Sequence, residues 1–263
     1  MSDGLLLYKK TVKREKTLRL ASQIILLLLF LLLWEVGVAK GYLDGFIFSS
    51  PLKIVGLIVK MVKSGELFLH LWVTTYETVL GFTLGTLLGV LIAIILWLLP
   101  FVSDVLEPYL VVLNSIPKVA LGPIFIVWLG SGTTAIVTMA LAISVIVTVM
   151  MVFSGFKETD PDKIKLMQSF GAKRRQILQK VVLPSALPSI VAALKVNVGL
   201  SLVGIIVGEF LVSQAGLGFL IVYGGQVFQL TLVMTSIIVL CLLSAVFYVL
   251  VALLERFLVR SLR

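Results

Sequence analysis

Five polar side chains lie inside two long apolar runs of this sequence, where they could meet a solute. Asn114, Ser115 and Lys118 lie in one run, and Asn197 and Glu209 lie in another. A charged group well inside a bilayer costs about 2.5–3.5 kcal/mol on insertion scales, so each should face protein or water. The pattern predicts a polar path along which Lys118 favours an anionic solute. The alternatives are structural pairing, a lysine stem that reaches the membrane surface, and a packing role for Glu209 near the outer end of its run.

The inventory of catalytic groups is nearly empty. His70 is the single histidine, which excludes a histidine metal cluster and leaves no Ser/His/Asp arrangement to assemble. The chain has no Gly-x-x-x-x-Gly-Lys-Ser/Thr phosphate loop. The single Cys241 excludes an intrachain disulfide. We therefore expect no catalytic site, no cofactor and no metal, which argues against an intramembrane enzyme.

The composition indicates whether the chain lies in water or in a lipid bilayer. Of 263 residues, 60% are hydrophobic and 13% are charged, with a net charge of +9. Soluble domains carry roughly 25% charged residues. A basic chain suggests nucleic acid or a membrane as a partner, and the apolar runs favour membrane lipid, with the charges at its rim.

Six segments are long and apolar enough to cross a bilayer, which takes about 20 residues. They are Leu20–Val38, Thr78–Leu99, Val105–Trp128, Thr134–Phe153, Ile190–Val212 and Leu232–Leu254. None alternates as a membrane β-barrel strand does. The fold class predicted is all-α, a polytopic membrane protein with six transmembrane helices.

The basic residues set the predicted orientation. They cluster in the amino-terminal tail (1–19), between spans four and five, and in the carboxyl-terminal tail. With six spans all three clusters lie on one side, which the positive-inside rule makes cytoplasmic. We expect a multi-pass protein of the bacterial inner membrane with both termini in the cytoplasm. The weaker alternative is a cleaved signal peptide over the first apolar run.

Residues 20–74 hold the first span and an outer amphipathic segment. Ser50 can cap a helix that has Pro51 at its first position and ends at Gly65. Its apolar residues share one face, whereas Lys53 and Lys60 share another. We weigh equally a helix on the outer membrane surface and a short packed helix without lipid contact.

Span two carries Gly81, Gly85 and Gly89, a stripe of small residues that allows close approach between helices. We favour packing within one chain over a dimer seam. Glu77, at the predicted outer start of this span, is expected to be exposed.

The longest polar stretch outside the amino-terminal third, residues 155–188, separates spans four and five. Asp160 can cap a short helix with Pro161 at its first position, and Gly171 permits a sharp turn at its end. A second helix is expected over 173–182, stopped by Pro184 and Pro188 before span five. The pattern predicts a helix–turn–helix projection whose apolar residues need a partner.

This stretch resembles the "EAA" loop of permease subunits of binding-protein-dependent ABC importers. In that pattern Glu-Ala-Ala is followed by three residues, Gly, nine residues and Ile-x-Leu-Pro. Here Gly171 is followed by nine residues and Val181-Val182-Leu183-Pro184, whereas Lys165-Leu166-Met167 replaces Glu-Ala-Ala. Three further segments are similar to nitrate, sulfonate and taurine-type permeases. They are Ser115–Pro123 with Trp128-Leu129-Gly130, Gly208-Glu209-Phe210, and Gly216-Leu217-Gly218.

The resemblance implies a type I ABC importer permease (MetI-like) fold, with residues 75–263 as the permease core and 155–188 as its coupling loop. It implies a homodimer of two permease copies around one path, two copies of an ABC ATPase subunit, and an extracytoplasmic substrate-binding protein. The residues implied in ATPase coupling are Glu158, Asp160, Lys163, Ile164, Met167, Phe170, Gly171 and Ala172. Substrates of such permeases include nitrate, sulfonates, taurine, bicarbonate and vitamin precursors. The alternatives are a channel or secondary transporter, or a membrane anchor for a cytoplasmic complex.

Overall fold

The protein, described here by a computed structural model, consists of helices joined by short connecting segments over residues 2–260. Side chains are described for residues 12, 14, 15 and 17–256. The helices are α1 Ser2–Ala39, α2 Pro51–Ser64, α3 Glu66–Leu98, α4 Pro100–Ser115, α5 Gly122–Leu129, α6 Thr133–Lys157, α7 Pro161–Ser169, α8 Arg174–Ile177, α9 Leu183–Ser185, α10 Leu187–Val212, α11 Leu217–Gln226 and α12 Leu230–Arg260. A 3₁₀ turn, Lys118–Leu121, precedes α5, and a π turn, Leu178–Val182, joins α8 to α9.

Five helices are long and apolar enough to span a membrane: part of α1, then α3, α6, α10 and part of α12. The third predicted span, Val105–Trp128, is not one straight helix. It is the pair Pro100–Ser115 and Lys118–Leu129, bent by 86°. The break falls where Pro117 forces the preceding Ile116 into an extended backbone (ψ 134°), which an α-helix cannot continue through. The described residues thus contain five continuous candidate spans and one bent pair.

The centre of the bundle is formed by α3, α6 and α10, and small residues let these helices approach closely. A Cβ added at Gly81 of α3 would lie 3.0 Å from the Cβ of Ala140 in α6, and one at Gly204 of α10 would lie 2.5 Å from the Ala140 Cα. Gly85 and Gly89 likewise face α6. The glycine stripe therefore packs within one chain, as favoured from the sequence.

Two shorter helices complete the end of the bundle where α3 and α12 begin. Ser50 accepts a hydrogen bond from the Lys53 N–H, and Gly65 closes α2 with φ +82°, so the predicted bounds of α2 are confirmed. The buried side of α2 packs in a cluster with α3, α11 and α12. The sequence did not predict α11, because ten residues are too few to cross a bilayer.

The first helix is continuous from the amino-terminal tail into the first span. Its apolar span, Thr17–Ala39, has no buried share, so one chain alone leaves it uncovered. The structure does not describe the side chains of several basic residues in the two tails: Lys9, Lys10, Lys13, Lys16, Arg260 and Arg263.

Pro184 and Pro188 do not stop the helical path before α10, contrary to expectation. The N–H of Leu183 donates to the Leu178 carbonyl, which is a π-type bond. Pro184 and Pro188 each sit in the first turn of a helix, α9 and α10, where a backbone N–H has no helical partner in any case. Neither proline has a backbone N–H to donate, but the helical path continues from α9 into α10 with a single turn residue, Ala186, between them.

Candidate functional site

The coupling loop (155–188) contains the short projecting helix that the sequence predicted. Asp160 accepts a hydrogen bond from the Asp162 N–H, and Pro161 is the first residue of α7. After α7 the N–H of Gly171 donates to Gln168 at 2.9 Å, and that of Ala172 donates to Met167 at 3.0 Å. These are the two bonds of a Schellman motif, which needs the left-handed residue supplied by Gly171 at φ +74°.

Glu158 does not belong to the coupling helix. It follows the last residue of α6, which runs on to Lys157, and it caps the carboxyl end of that helix. The helix of this loop, α7, covers only Pro161–Ser169 and is shorter than the stretch from Glu158 to Ala172 that the resemblance implies in coupling. Lys163 and Asp160 are both exposed on or beside it.

The apolar residues of α7 and of the turn after it divide into two groups. Ile164, Met167 and Ala172 are half-buried against the core at this end of the bundle. Phe170 is 77% exposed and Leu166 is 57% exposed. One side of the loop thus fixes it to its own chain, while Phe170 and Leu166 remain uncovered.

A groove of about 440 Å³ lies beside these exposed residues, between α7 and the π turn. It is lined by Lys163, Leu166, Met167, Lys180, Val181, Pro184 and Ser185. Its lining combines four apolar residues with two lysines and a serine, a composition that suits a protein partner.

Two cationic side chains of the loop, Arg174 and Lys157, join it to the helices beside it. Arg174 donates to the Trp97 carbonyl from Nη2 at 2.7 Å and from Nε at 3.2 Å, and its guanidinium lies 4.9 Å from the centre of the Trp97 ring. Lys157 pairs with Glu107 at 2.6 Å. Arg174 therefore ties the loop to the end of α3, and Lys157 ties α6 to α4. Sequence spacing gives no sign of either pairing, because the partners lie 77 and 50 residues away.

Three of the predicted path residues lie at the bend between α4 and α5. Asn114 and Ser115 are exposed and Lys118 is half-exposed. Lys118 Nζ donates to the Asn114 carbonyl at 2.7 Å and to its Oδ1 at 3.3 Å. A cation at the last carbonyls of a helix is favourable, so Lys118 also stabilises the end of α4.

The other two predicted path residues lie inside the chain. Asn197 is 1% exposed, and its Nδ2 donates to Thr86 Oγ1 at 2.6 Å, which joins α10 to α3. Glu209 is also 1% exposed. The structure thus separates the five residues into a surface group at the bend and two residues within the α3–α6–α10 bundle.

Glu209 belongs to a network that caps the start of α11. Its Oε2 accepts from the Gly218 N–H at 2.5 Å, and its Oε1 accepts from Thr74 Oγ1 at 2.6 Å. Thr74 Oγ1 also accepts from the Leu217 N–H at 2.8 Å, and His70 Nδ1 accepts from the Gly216 N–H at 3.0 Å. Three side chains from α3 and α10 thus satisfy three consecutive N–H groups that a helix start leaves without partners.

This capping network explains the motif Gly216-Leu217-Gly218. A Cβ added at Gly216 would lie 2.4 Å from Glu209 Cδ, and Gly216 has φ +118°. A Cβ at Gly218 would lie 2.8 Å from Glu209 Cβ. Glycine is therefore needed on both sides of Leu217 for the backbone to reach the carboxylate.

The prediction that Glu77 is exposed is wrong. Glu77 is 1% exposed and lies within hydrogen-bonding range of Thr133 and Glu209. Because α3 begins at Glu66, earlier than the predicted span, Glu77 lies three turns inside the helix, where the start of α6 covers it. Lys195, a further charged residue of α10, pairs with Glu255 of α12 at 2.6 Å.

Comparison with known proteins gives the family. Residues 85–263 match the family model described as "binding-protein-dependent transport system inner membrane component". A riboflavin transport system permease protein, RibX of Chloroflexus aurantiacus, is 35% identical over 234 residues, 89% of this chain and 87% of that protein. A putative aliphatic sulfonates transport permease protein, SsuC of Bacillus subtilis, is 28% identical over 85% of this chain and 81% of its own length.

Solved structures agree in fold. A chain of the MetNI methionine ABC transporter, in inward-facing conformations, covers 73% of this chain and 94% of its own length with TM-score 0.62 and 21% identity. A chain of a bacterial ABC transporter that imports alginate covers 95% and 98% with TM-score 0.65 and 14% identity. The predicted MetI-like fold is confirmed, and the ATPase of such systems is a separate subunit. This chain belongs to the family of inner-membrane permease components of binding-protein-dependent ABC importers.

Proposed function

We propose that two copies of this chain line a path through the inner membrane for a small anionic solute. A binding protein delivers the solute at the outer face, and two ATPase subunits drive the import from the cytoplasm. Exposed Phe170 and Leu166 beside the Gly171 turn are the observation that carries this proposal, because a rigid apolar projection at one end of a membrane bundle has use only with a partner. Each ATPase subunit binds α7 of one copy, and both termini lie on that side.

The second copy is proposed from the uncovered surface around the bent pair. Phe101 is 80% exposed, Val127 81% and Trp128 74%. Asn114, Ser115 and Lys118 lie on the same bent pair, so a second copy over this surface encloses them between the two chains. In this proposal Asn197 and Glu209 do not contact the solute and instead hold in place the helices that surround the path.

The anionic solute is proposed from Lys118, whose ammonium lies at the bend. Relatives named as sulfonate permeases in Bacillus subtilis and Escherichia coli, and a taurine permease in Escherichia coli, fit this choice. A second candidate solute is a vitamin such as riboflavin, which the identity to RibX favours. Competition of labelled taurine uptake by alkanesulfonate and by riboflavin distinguishes the two.

Purification of the tagged chain from its native membrane in mild detergent tests the proposal. We expect an ATPase subunit with a phosphate-binding loop at one copy per permease, together with a binding protein. Recovery of the permease alone under several detergents would contradict the proposed assembly and favour a channel, a secondary transporter or an anchor.

A further inference from the structure

The helix α2 contains apolar residues and three lysines but no acidic residue, and the structure divides its surface into three stripes. The stripe packed against the bundle contains Ile54, Leu57, Ile58 and Met61. An exposed apolar stripe contains Leu52, Val55, Val59 and Val62. An exposed basic stripe contains Lys53, Lys60 and Lys63. On a helix of 3.6 residues per turn the basic stripe and the exposed apolar stripe lie on opposite sides of the packed stripe.

These three stripes are the pattern of a helix that lies at a bilayer surface. A helix with one side packed, one side apolar and one side charged is accommodated at the bilayer surface, with its apolar side toward the acyl chains and its charged side toward water. Lys53 and Lys60 are seven residues apart and therefore nearly aligned, whereas Lys63 is turned toward the apolar stripe. The two aligned lysines are thus the ones best placed to meet a partner in the outer aqueous space.

The helix is held firmly in this position. Ser49 Oγ donates to Thr231 Oγ1 at 3.1 Å, which ties the start of α2 to α12. Glu35 at the end of α1 accepts from the Leu52 N–H at 3.0 Å. Because both ends of α2 are also capped, Lys53 and Lys60 project from a fixed backbone, which lowers the entropy lost when they bind.

Lys53 and Lys60 each line a cleft beside the segment that joins α11 to α12. Lys53 lines a cleft of about 460 Å³ and Lys60 lines one of about 380 Å³, and Gln229, between α11 and α12, lines both. Lys63 lines neither of these two clefts. The two lysines and Gln229 therefore form one polar surface above the start of α12.

The charges on this surface are not neutralised by ion pairs. Within the described side chains, Lys53, Lys60 and Lys63 form no salt bridge. Three carboxylates also lie at this end. Glu35 is bonded to the Leu52 N–H, Asp44 to the Phe46 N–H, and Glu66, beside Lys60 in its cleft, accepts from Ser64 Oγ at 3.4 Å.

We propose that Lys53, Lys60 and Gln229 form a contact surface for an acidic face of the binding protein. The inference rests on the proposed function and adds to it the place and the charge of that contact. Phospholipid phosphate is the competing ligand for lysines at a membrane surface, but the two clefts turn Lys53 and Lys60 away from the apolar stripe that meets lipid. Charges at the rim of an interface act mainly on the rate of association and on its salt dependence.

The test uses the permease with its ATPase in nanodiscs of zwitterionic phosphatidylcholine, and the binding protein recovered by co-purification. ATP hydrolysis is measured against binding-protein concentration at about 50 mM and about 300 mM NaCl, which span weak and strong screening. Lys53→Glu/Lys60→Glu is expected to raise the half-saturating concentration about tenfold at low salt, with the maximal rate within about twofold. At high salt the half-saturating concentrations of the variant and of the unchanged protein should differ less.

Lys63→Glu is the matched control on the same helix, and its half-saturating concentration should stay within about twofold of the unchanged protein. If the double reversal does not assemble, Lys53→Gln/Lys60→Gln is measured instead, with an expected increase of about threefold. An unchanged half-saturating concentration in the double variant overturns the proposal. So does a difference that appears only when phosphatidylglycerol is present, which assigns the lysines to lipid. Failure of the unchanged complex to respond to any binding protein contradicts the proposed function instead.

Discussion

Each end of the bundle carries a short helix, but α7 leaves apolar side chains exposed whereas α11 is capped within the chain. At the coupling-loop end, α7 is held to its own chain by half-buried Ile164 and Met167 and leaves Phe170 uncovered. At the other end, α11 has its first three N–H groups bonded to His70, Thr74 and Glu209 from within the same chain. Under the proposed function a partner protein covers the exposed side of α7, whereas side chains of the permease itself cap α11.

The largest effect is expected at the turn that aims α7. Gly171→Val places a β-branched residue at φ +74°, which costs at least about 1–2 kcal/mol and shifts the turn. An added Cβ meets no atom within 4 Å, so the cost is conformational and not a clash. Uptake should fall by about tenfold or more at unchanged membrane level.

Gly171→Asn is the matched control, because asparagine tolerates the left-handed region better than valine does. It should retain most of the uptake. Normal uptake by Gly171→Val at a normal membrane level would show that α7 is not the coupling element.

The second effect tests whether α7 is completed by a partner. Phe170→Ala removes a ring that is 77% exposed, so the thermal stability of the isolated permease should not change. A buried aromatic anchor at an interface is worth about 2 kcal/mol or more, so binding of the purified ATPase subunit should weaken about thirtyfold. Gln168→Ala, on the same exposed helix, serves as the control. Equal ATPase affinity for both variants would remove Phe170 from the interface.

The helices α2 and α7 were predictable from the sequence because the residues that cap them lie at their own ends. Ser50 and Gly65 set the bounds of α2, and Asp160 and Gly171 set those of α7, because a cap is decided by its own side chain or backbone region. The long spans were found by hydropathy alone. The 86° bend was missed because hydropathy averages over Pro117, although the proline marked the break in the sequence.

The capping network of α11 could not be predicted in the same way. Its α3 members, Thr74 and His70, lie 135 to 146 residues from the groups that they bond, and nothing near Glu209 in the sequence indicates a contact with Thr74. The Gly216-Leu217-Gly218 motif was visible, but its reason, the close approach of Glu209, is a tertiary contact. Glu77 was misplaced for a related reason, since burial depended on where α3 begins.

The third effect is expected at the end of the bundle where the permease caps α11 with its own side chains. Glu209→Ala leaves the Gly218 N–H and the Thr74 hydroxyl without an acceptor, and each buried unpaired group costs about 1–3 kcal/mol. The melting temperature of the permease in detergent should fall, and amide hydrogen exchange at Leu217 and Gly218 should increase. Exchange in α7 should not change. Faster exchange at both ends would mean that the two regions are not separate units.

The smallest effect is expected at the bend, between the two ends. Lys118 is both the proposed anion-facing charge and a donor to the Asn114 carbonyl, so Lys118→Ala and Lys118→Arg separate its two roles. Arginine keeps the charge and the donors, whereas alanine removes both. For an anionic solute, Lys118→Ala should reduce uptake about fivefold with assembly unchanged, and Lys118→Arg should reduce it less than twofold. If riboflavin is the solute, the charge has no anion to attract and neither change should alter its uptake. Unchanged uptake of taurine and alkanesulfonate by Lys118→Ala would leave Lys118 only the role of closing α4.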